Sequence, residues 1–192
     1  MTPRLLALLP LAVGINLAMS EIVAFTGLPV YLDTVGTVLV AALVGLVPAL
    51  ITGLLSQVTM TLMLGNSMWL AFLPVQLAVA LLAAFAVRRA GFNSWASAAV
   101  WGLAVGLVAA TMAWPIAYAV FGGVTATGTT AIATVLNQIG TPLGLAVYLA
   151  SLSTDLADKL ITFLVVRTLL KSLPIRLAAR FPEAARALGT SG

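Results

Sequence analysis

The sequence predicts an all-α integral membrane protein folded as a bundle of six transmembrane helices. Hydrophobic residues make up 62% of the 192-residue chain and charged residues only 7%, against about 25% charged in soluble domains. The mean hydropathy is +1.17. Residues 34–87 and 90–154 contain no charged side chain. Since a spanning helix needs about 20 apolar residues, these two stretches and the apolar segments beside them leave room for about six spans.

Breaks between apolar runs delimit the first four predicted helices. A loop with the sequence LPVYLDTVGT, residues 28–37, follows the first helix. Pro48 suits the first turn of a helix, so the third helix is expected to begin there. Gly65, Asn66 and Ser67 form a turn signal before the fourth. The predicted helices cover residues 4–25, 34–46, 48–64 and 69–87.

The second half predicts two more spanning helices, over residues 94–121 and 142–171. Pro115 is expected to kink the first of these, and the Gly- and Thr-rich stretch 122–140 is expected to form a partly ordered loop or half-helix. Residues 1–172 would then be a single transmembrane domain. The remaining residues, 173–192, are expected to form a basic, weakly amphipathic helix in the cytoplasm.

The N-terminal segment has two interpretations. Arg4, a short apolar core and small residues near Ser20 are typical of a signal peptide. However, the apolar pattern continues past Ser20 to Phe25. A retained first helix is therefore the simpler expectation.

Basic residues predict the orientation, because cytoplasmic helix ends carry an excess of Arg and Lys. They occur at Arg4, at the pair Arg88 and Arg89, and in a cluster between Arg167 and Arg186. With six spans these three positions lie on one side. Both termini are therefore expected in the cytoplasm, with the loop at 28–37, the turn at 65–68 and residues 122–140 outside.

The absence of cysteine and histidine excludes most kinds of catalytic and metal-binding site. The chain has no cysteine and no histidine, so it lacks thiol nucleophiles, imidazole bases and the commonest transition-metal ligands. The motifs GxxxxGK[ST], GxSxG and HExxH are also absent from the sequence. No basic stripe interleaved with aromatic residues suggests nucleic acid. We therefore expect no catalytic residues, metal or cofactor.

Three ionisable residues, Asp155, Asp158 and Lys159, lie well inside the last predicted span, where burial of a charge is costly. Asp155 and Lys159 are four positions apart and are expected to form a structural ion pair. The alternative is that this face, which also carries Asp158, meets a substrate or a partner subunit. Asp33, just before the second helix, is predicted to act as its N-cap.

Polar and aromatic residues gather at the predicted outer side. Trp114 and Tyr118 are four positions apart beside Pro115 and would form one aromatic face. Stacking faces combined with amide and hydroxyl groups suit a small ring compound. Gln138 and Thr127 lie on the same side. The predicted substrate contacts are Tyr31, Asn66, Trp69, Gln76, Trp114, Tyr118, Thr125, Asn137 and Asp155.

Several motifs together resemble the substrate-binding S component of energy-coupling factor (ECF) transporters. They are INLA at 15–18, LPVYLDTVGT with residues 38–53, FGGVT at 121–125, and TDLADK at 154–159 before a basic tail. The resemblance implies a six-helix protein that captures vitamins or other micronutrients at the outer face. It also implies a membrane energising subunit (the T subunit) and two cytoplasmic ATPases as partners, and a toppling motion that releases the ligand inward.

The resemblance also assigns roles to particular residues. Gly14 and Ala18 have the spacing of a small-residue motif by which the first helix of S components faces the energising subunit. S components bind their ligand with the later helices and the outer loops, and this favours six of the predicted substrate contacts listed above. These are Trp69, Gln76, Trp114, Tyr118, Thr125 and Asn137.

The expected function is the substrate-specific subunit of an ATP-driven importer in a prokaryotic plasma membrane. Its ligand would be a vitamin, a vitamin precursor or a nucleobase-like ring compound. A membrane sensor module and a stand-alone facilitator remain alternatives, although the short stretch after Lys171 argues against an output domain. A membrane enzyme is the weakest alternative because His and Cys are missing.

Overall fold

The computed structural model describes residues 3–125, 128–178, 180–181 and 183–189. Across these residues helices are the only regular secondary structure and no strand occurs, which confirms the all-α prediction. The helices in this part of the chain are α1 (Pro3–Thr26), α2 (Val35–Leu43), α3 (Leu46–Leu64), α4 (Met68–Ala71), α5 (Leu73–Arg88), α6 (Trp95–Ala119), α7 (Gly128–Gln138), α8 (Leu143–Ser172), α9 (Ile175–Ala178) and α10 (Ala184–Ala187).

Three helices are long and apolar enough to cross a membrane, namely α1 over Ala7–Thr26, α3 and α6. Helix α5 is apolar but shorter. The 30-residue α8 would reach about 45 Å at 1.5 Å per residue, but it carries three charged residues near its middle. Helix α2, with nine residues, covers only about 14 Å and is too short to cross alone. The six-span count remains a prediction.

Most helix ends follow the local signals in the sequence. Gly65 adopts the left-handed conformation after α3, with φ of 62°, as is common at a helix C-terminus. Ser94 caps α6 by accepting a hydrogen bond from the N–H of Ser97 at 3.0 Å. Helix α6 continues through Pro115 without ending. The part of 122–140 that the structure describes contains α7, in agreement with the predicted half-helix.

Two predicted elements differ from the structure. The predicted fourth helix is divided into α4 and α5, with Phe72 between them. Pro74, in the first turn of α5, has no N–H to continue a helix from α4. The basic tail, predicted as one helix, instead contains the one-turn helices α9 and α10.

Helix α2 forms the centre of the core. Eight of its nine residues are buried, and it packs against α1, α3, α5 and α8. A Cβ at Gly36 would lie 2.0 Å from the carbonyl oxygen of Ala12. Only glycine therefore allows α1 and α2 to approach this closely.

Glycines also set the contact between α6 and α8. A Cβ at Gly102 would lie 2.8 Å from the backbone oxygen of Lys159, and one at Gly106 would lie 2.7 Å from that of Asp155. Small residues four positions apart let two helices approach closely. This contact fixes the polar part of α8 against α6.

The segment after α8 packs back on the bundle. The N–H of Phe92 donates to Ala187 at 3.0 Å, and that of Glu183 donates to Leu43 at 3.2 Å. The guanidinium of Arg167 donates to the Phe92 carbonyl and lies 5.0 Å from the ring centroid of Trp95. The chain just after α5 therefore contacts the last turns of α8. The orientation of the helices in a membrane remains a prediction.

Candidate functional site

A cavity of about 90 Å³ lies inside the bundle, beneath the loop 27–34. Since one water needs about 10–15 Å³ of such space, there is room for roughly six to nine water-sized atoms. The walls are mostly apolar and come from that loop, from Thr125, from Thr129 at the start of α7 and from α3, α4, α5, α6 and α8. The polar and aromatic lining residues are Tyr31, Asp33, Thr34, Gln57, Asn66, Trp69, Phe72, Gln76, Thr125, Thr129, Ser151, Asp155 and Lys159.

Asp158 binds the loop 27–34 to α8. Its fully buried carboxylate accepts hydrogen bonds from the N–H groups of Tyr31 and Leu32, at 3.0 and 2.6 Å. Leu32 has a φ of 51°, a conformation that side chains other than glycine adopt rarely. The carboxylate therefore holds a strained loop over the cavity.

Lys159 joins the same network. Its ammonium pairs with Asp158, lies 3.8 Å from the carboxylate of Asp33 and donates to the hydroxyl of Thr34 at 3.2 Å. The predicted pair between Asp155 and Lys159 is wrong: the loop brings Asp33 and Thr34 close to α8, and the ammonium turns towards them.

The predicted capping role of Asp33 is also wrong. The N-cap position of α2 is Thr34, which makes no side-chain capping bond. The free N–H of Gly36, in the first turn, instead donates to Asn16 of α1 at 2.6 Å. Because α1 supplies the acceptor, the Asp33 carboxylate remains available to Lys159.

Asn16 joins three helices. Besides accepting the N–H of Gly36, its buried amide donates to the hydroxyls of Thr37 in α2 and Ser56 in α3, both at 2.9 Å. Gln76 of α5 also donates to Thr37, at 3.1 Å. These polar contacts position α2 next to the cavity.

Two buried acceptors in the cavity wall have no donor. Asp155 is only 4% exposed and Gln57 only 2%. In the described part of the chain, no group donates a hydrogen bond to Asp155 Oδ2 or Gln57 Oε1. Buried polar atoms are usually hydrogen-bonded, so Asp155 and Gln57 are candidate contacts for a ligand in the cavity.

The structure brings six of the nine predicted contacts together at the cavity. They are Tyr31, Asn66, Trp69, Gln76, Thr125 and Asp155. The Tyr31 hydroxyl lies 2.5 Å from that of Thr129, and Thr129 donates to Thr154 of α8 at 3.3 Å. These contacts connect the loop to α7 and α8.

The other three predicted contacts lie outside the cavity. Trp114 donates to the carbonyl of Gly144 at 2.9 Å and packs edge-on against Tyr148, with ring centroids 5.7 Å apart. Tyr118 lies beside Gly144. Asn137 is exposed and donates to the Thr141 carbonyl. Gln138 is exposed as well, and Thr127 lies outside the described residues.

The rotation of α6 explains why Trp114 and Tyr118 were misplaced. The cavity-facing residues of α6 are Ala113 and Ala117. Each following residue is rotated by about 100° around a helix. The aromatic face of Trp114 and Tyr118 therefore turns towards the start of α8.

Gln57, Thr129 and Ser151 line the cavity but were not predicted as contacts. Polar residues inside apolar helices were the available signal for Gln57 and Ser151. Lys159 and Asp33 were noticed in the sequence, but as structural residues. Their place at the cavity depends on the loop and α8 coming together.

The small residues of α1 face outwards. Gly14 and Ala18 are exposed, and a Cβ at Gly14 would meet no other atom within 4 Å. Leu11 and Ile22, on either side along the helix, are also exposed. This face of α1 is therefore not used for packing within the bundle.

No protein-family model matches this chain, and no curated protein or solved structure shows significant similarity to it.

Proposed function

We propose that the protein is the substrate-binding subunit of an ECF-type importer in the plasma membrane of a prokaryote. It would capture a vitamin, a vitamin precursor or a nucleobase-like ring compound at the outer face. The main support is a mostly apolar cavity that holds a buried acceptor without a donor, Asp155 Oδ2. Concave, largely apolar sites with a few polar groups are typical of small-molecule binding.

The cavity suits the capture of a ring. Tyr31, Trp69 and Phe72 line it with aromatic side chains, which can stack on a planar ligand. Asn66 and Ser151 add amide and hydroxyl groups. The ligand would be oriented by a small number of polar contacts and excluded from water by the aromatic residues.

Transport would require other subunits. In this proposal a T subunit binds the open face of α1 around Gly14 and Ala18, and two cytoplasmic ATPases supply the energy. Exposed small residues let a partner helix approach closely. Tyr31, Asp33 and Thr34 of the loop 27–34 line the cavity, so release would include loosening the contacts of this loop with α8.

Binding to the detergent-solubilised full chain tests the proposal. A panel of vitamins, vitamin precursors and nucleobases is titrated by calorimetry, and molecules that copurify are identified by mass spectrometry. We expect one panel member to bind with submicromolar Kd and the chain to copurify with a T subunit. Absence of both results would overturn the proposal, and uptake by liposomes containing this chain alone would favour a facilitator.

A further inference from the structure

The carboxylates near the cavity are not equally satisfied. Both oxygens of Asp158 are engaged, by the N–H groups of Tyr31 and Leu32 and by Lys159. Asp33 lies 3.8 Å from the ammonium of Lys159. Asp155 has a buried oxygen, Oδ2, that receives no hydrogen bond in the described part of the chain.

Acidic groups also outnumber basic groups around the cavity. Among the described residues of this cluster, Asp33, Asp155 and Asp158 provide three carboxyl groups and Lys159 provides one ammonium. A buried acceptor without a donor costs about 1–3 kcal/mol, and more when it is charged. A ligand that brings a positive charge or N–H donors would remove this cost.

A second acceptor is available for the same ligand. Oε1 of Gln57, on α3, also lines the cavity without a donor in the described residues. One N–H group can satisfy only one of these two acceptors well. A nitrogen group with at least two N–H bonds has one donor for each of them.

We infer that the ligand carries a nitrogen group that is cationic or donates two hydrogen bonds, such as an amidine, an amine or the amino group of a nitrogen heterocycle. This group binds Asp155 Oδ2, while the ring of the ligand contacts Trp69 and Phe72. The inference rests on the proposed binding function and defines the ligand class of that site. Carboxylate ligands are disfavoured because they would add an acceptor beside Asp155.

Three probes of nearly equal size and shape separate the nitrogen donors from stacking: benzamidine, acetophenone and benzoate. Each is titrated by calorimetry into the detergent-solubilised full chain. We expect benzamidine to bind at least about tenfold more tightly than acetophenone, which has no N–H group, and benzoate to show no measurable binding. Equal or tighter binding of acetophenone or benzoate would overturn the inference without using any variant.

Asp155→Asn tests the residue assignment. This nearly isosteric change should reduce benzamidine binding to the level of acetophenone. Ser153→Ala is the matched control on the same helix, since Ser153 donates to the carbonyl of Ala150 and is not one of the cavity-lining residues, and it should keep the preference. Thermal midpoints confirm that both variants are folded. Persistence of the preference in Asp155→Asn would overturn the role of Asp155.

The vitamin panel distinguishes the two proposals. If the tightest panel member has neither a cationic group nor a pair of N–H donors, the ligand class is wrong while the binding function stands. If that member has such a group, Asp155→Asn should weaken its binding at least about tenfold. If no probe and no panel member binds, both proposals are wrong.

Discussion

The carboxylate of Asp158 accepts the backbone N–H of Leu32 at 2.6 Å, across 126 positions of the chain. The same carboxylate binds the N–H of Tyr31 and pairs with Lys159. One buried side chain thus holds the loop over the cavity and also compensates the charge of a cavity-lining lysine. The wall of the site and its electrostatics depend on the same residue.

Asp158→Ala should strongly destabilise the fold. Removing one partner of a buried ion pair costs about 3–5 kcal/mol, because the other charge is left uncompensated. The free energy of unfolding, measured by denaturant titration in mixed micelles, should fall by about that amount. Hydrogen exchange in a peptide covering residues 28–34 should also become faster.

Asp33→Asn is the control for this change. Asp33 is 3.8 Å from Lys159, which keeps its closer partner Asp158 in this variant. The loss of stability should therefore be clearly smaller than for Asp158→Ala. Equal losses, or unchanged exchange in the loop of Asp158→Ala, would contradict the role given to Asp158.

Gly106→Ala should disturb the site through the packing of α6 on α8. The added Cβ would lie 2.7 Å from the backbone oxygen of Asp155, and a backbone atom cannot move aside by rotating a side chain. Overpacking of this kind costs about 1–3 kcal/mol. We expect a lower free energy of unfolding and weaker binding of the ligand.

Gly14→Ala provides the comparison. A Cβ there would meet no atom within 4 Å, and alanine is favoured over glycine in helices by about 1 kcal/mol. Its stability should be unchanged or slightly higher. Similar losses in the two variants would show that close helix packing is not the cause.

The positions of the helices could largely be predicted, but the partners of their polar residues could not. Apolar runs and signals such as Gly65 and Ser94 act locally, so a sequence carries them directly. The partner of Lys159 depends on which loop reaches α8. Likewise, the acceptor that caps α2 comes from Asn16 on another helix, so the local pattern around Asp33 gave the wrong residue.

Prediction of the cavity-lining residues was limited in the same way, because it depends on contacts between distant parts of the chain. Cavity contacts in the loop and in α4 and α5, such as Tyr31 and Trp69, were predicted from their side-chain types, the predicted topology and the family resemblance. Trp114 was misplaced because a sequence does not fix the rotation of α6 about its axis. Gln57 was missed because a single amide in an apolar helix does not reveal what it faces.

Asn16→Leu should destabilise the junction of α1, α2 and α3. The substitution keeps the size of the side chain but leaves the N–H of Gly36 without an acceptor. One buried unsatisfied group costs about 1–3 kcal/mol, and the hydroxyls of Thr37 and Ser56 lose a donor as well. The free energy of unfolding measures the loss.

Asn137→Ala serves as the control because Asn137 is exposed and its amide bonds only the neighbouring carbonyl of Thr141. Its stability should change by at most about 0.5 kcal/mol. If Asn16→Leu is equally mild, the buried amide does not hold the three helices together.

Substitutions of two tryptophans test where the ligand binds. Trp69 lines the cavity, whereas Trp114 donates to Gly144 outside it. Trp69→Ala should weaken binding of the tightest panel ligand at least about tenfold, because it removes an aromatic wall that the ring would contact. Trp114→Phe should leave the Kd within about twofold and lower the free energy of unfolding by about 1 kcal/mol, the value of one hydrogen bond. Calorimetric titration and denaturant unfolding of the same preparations separate the two effects. If Trp114→Phe weakened binding while Trp69→Ala did not, the ligand would occupy the aromatic face at the start of α8, and the cavity beneath the loop would not be the site.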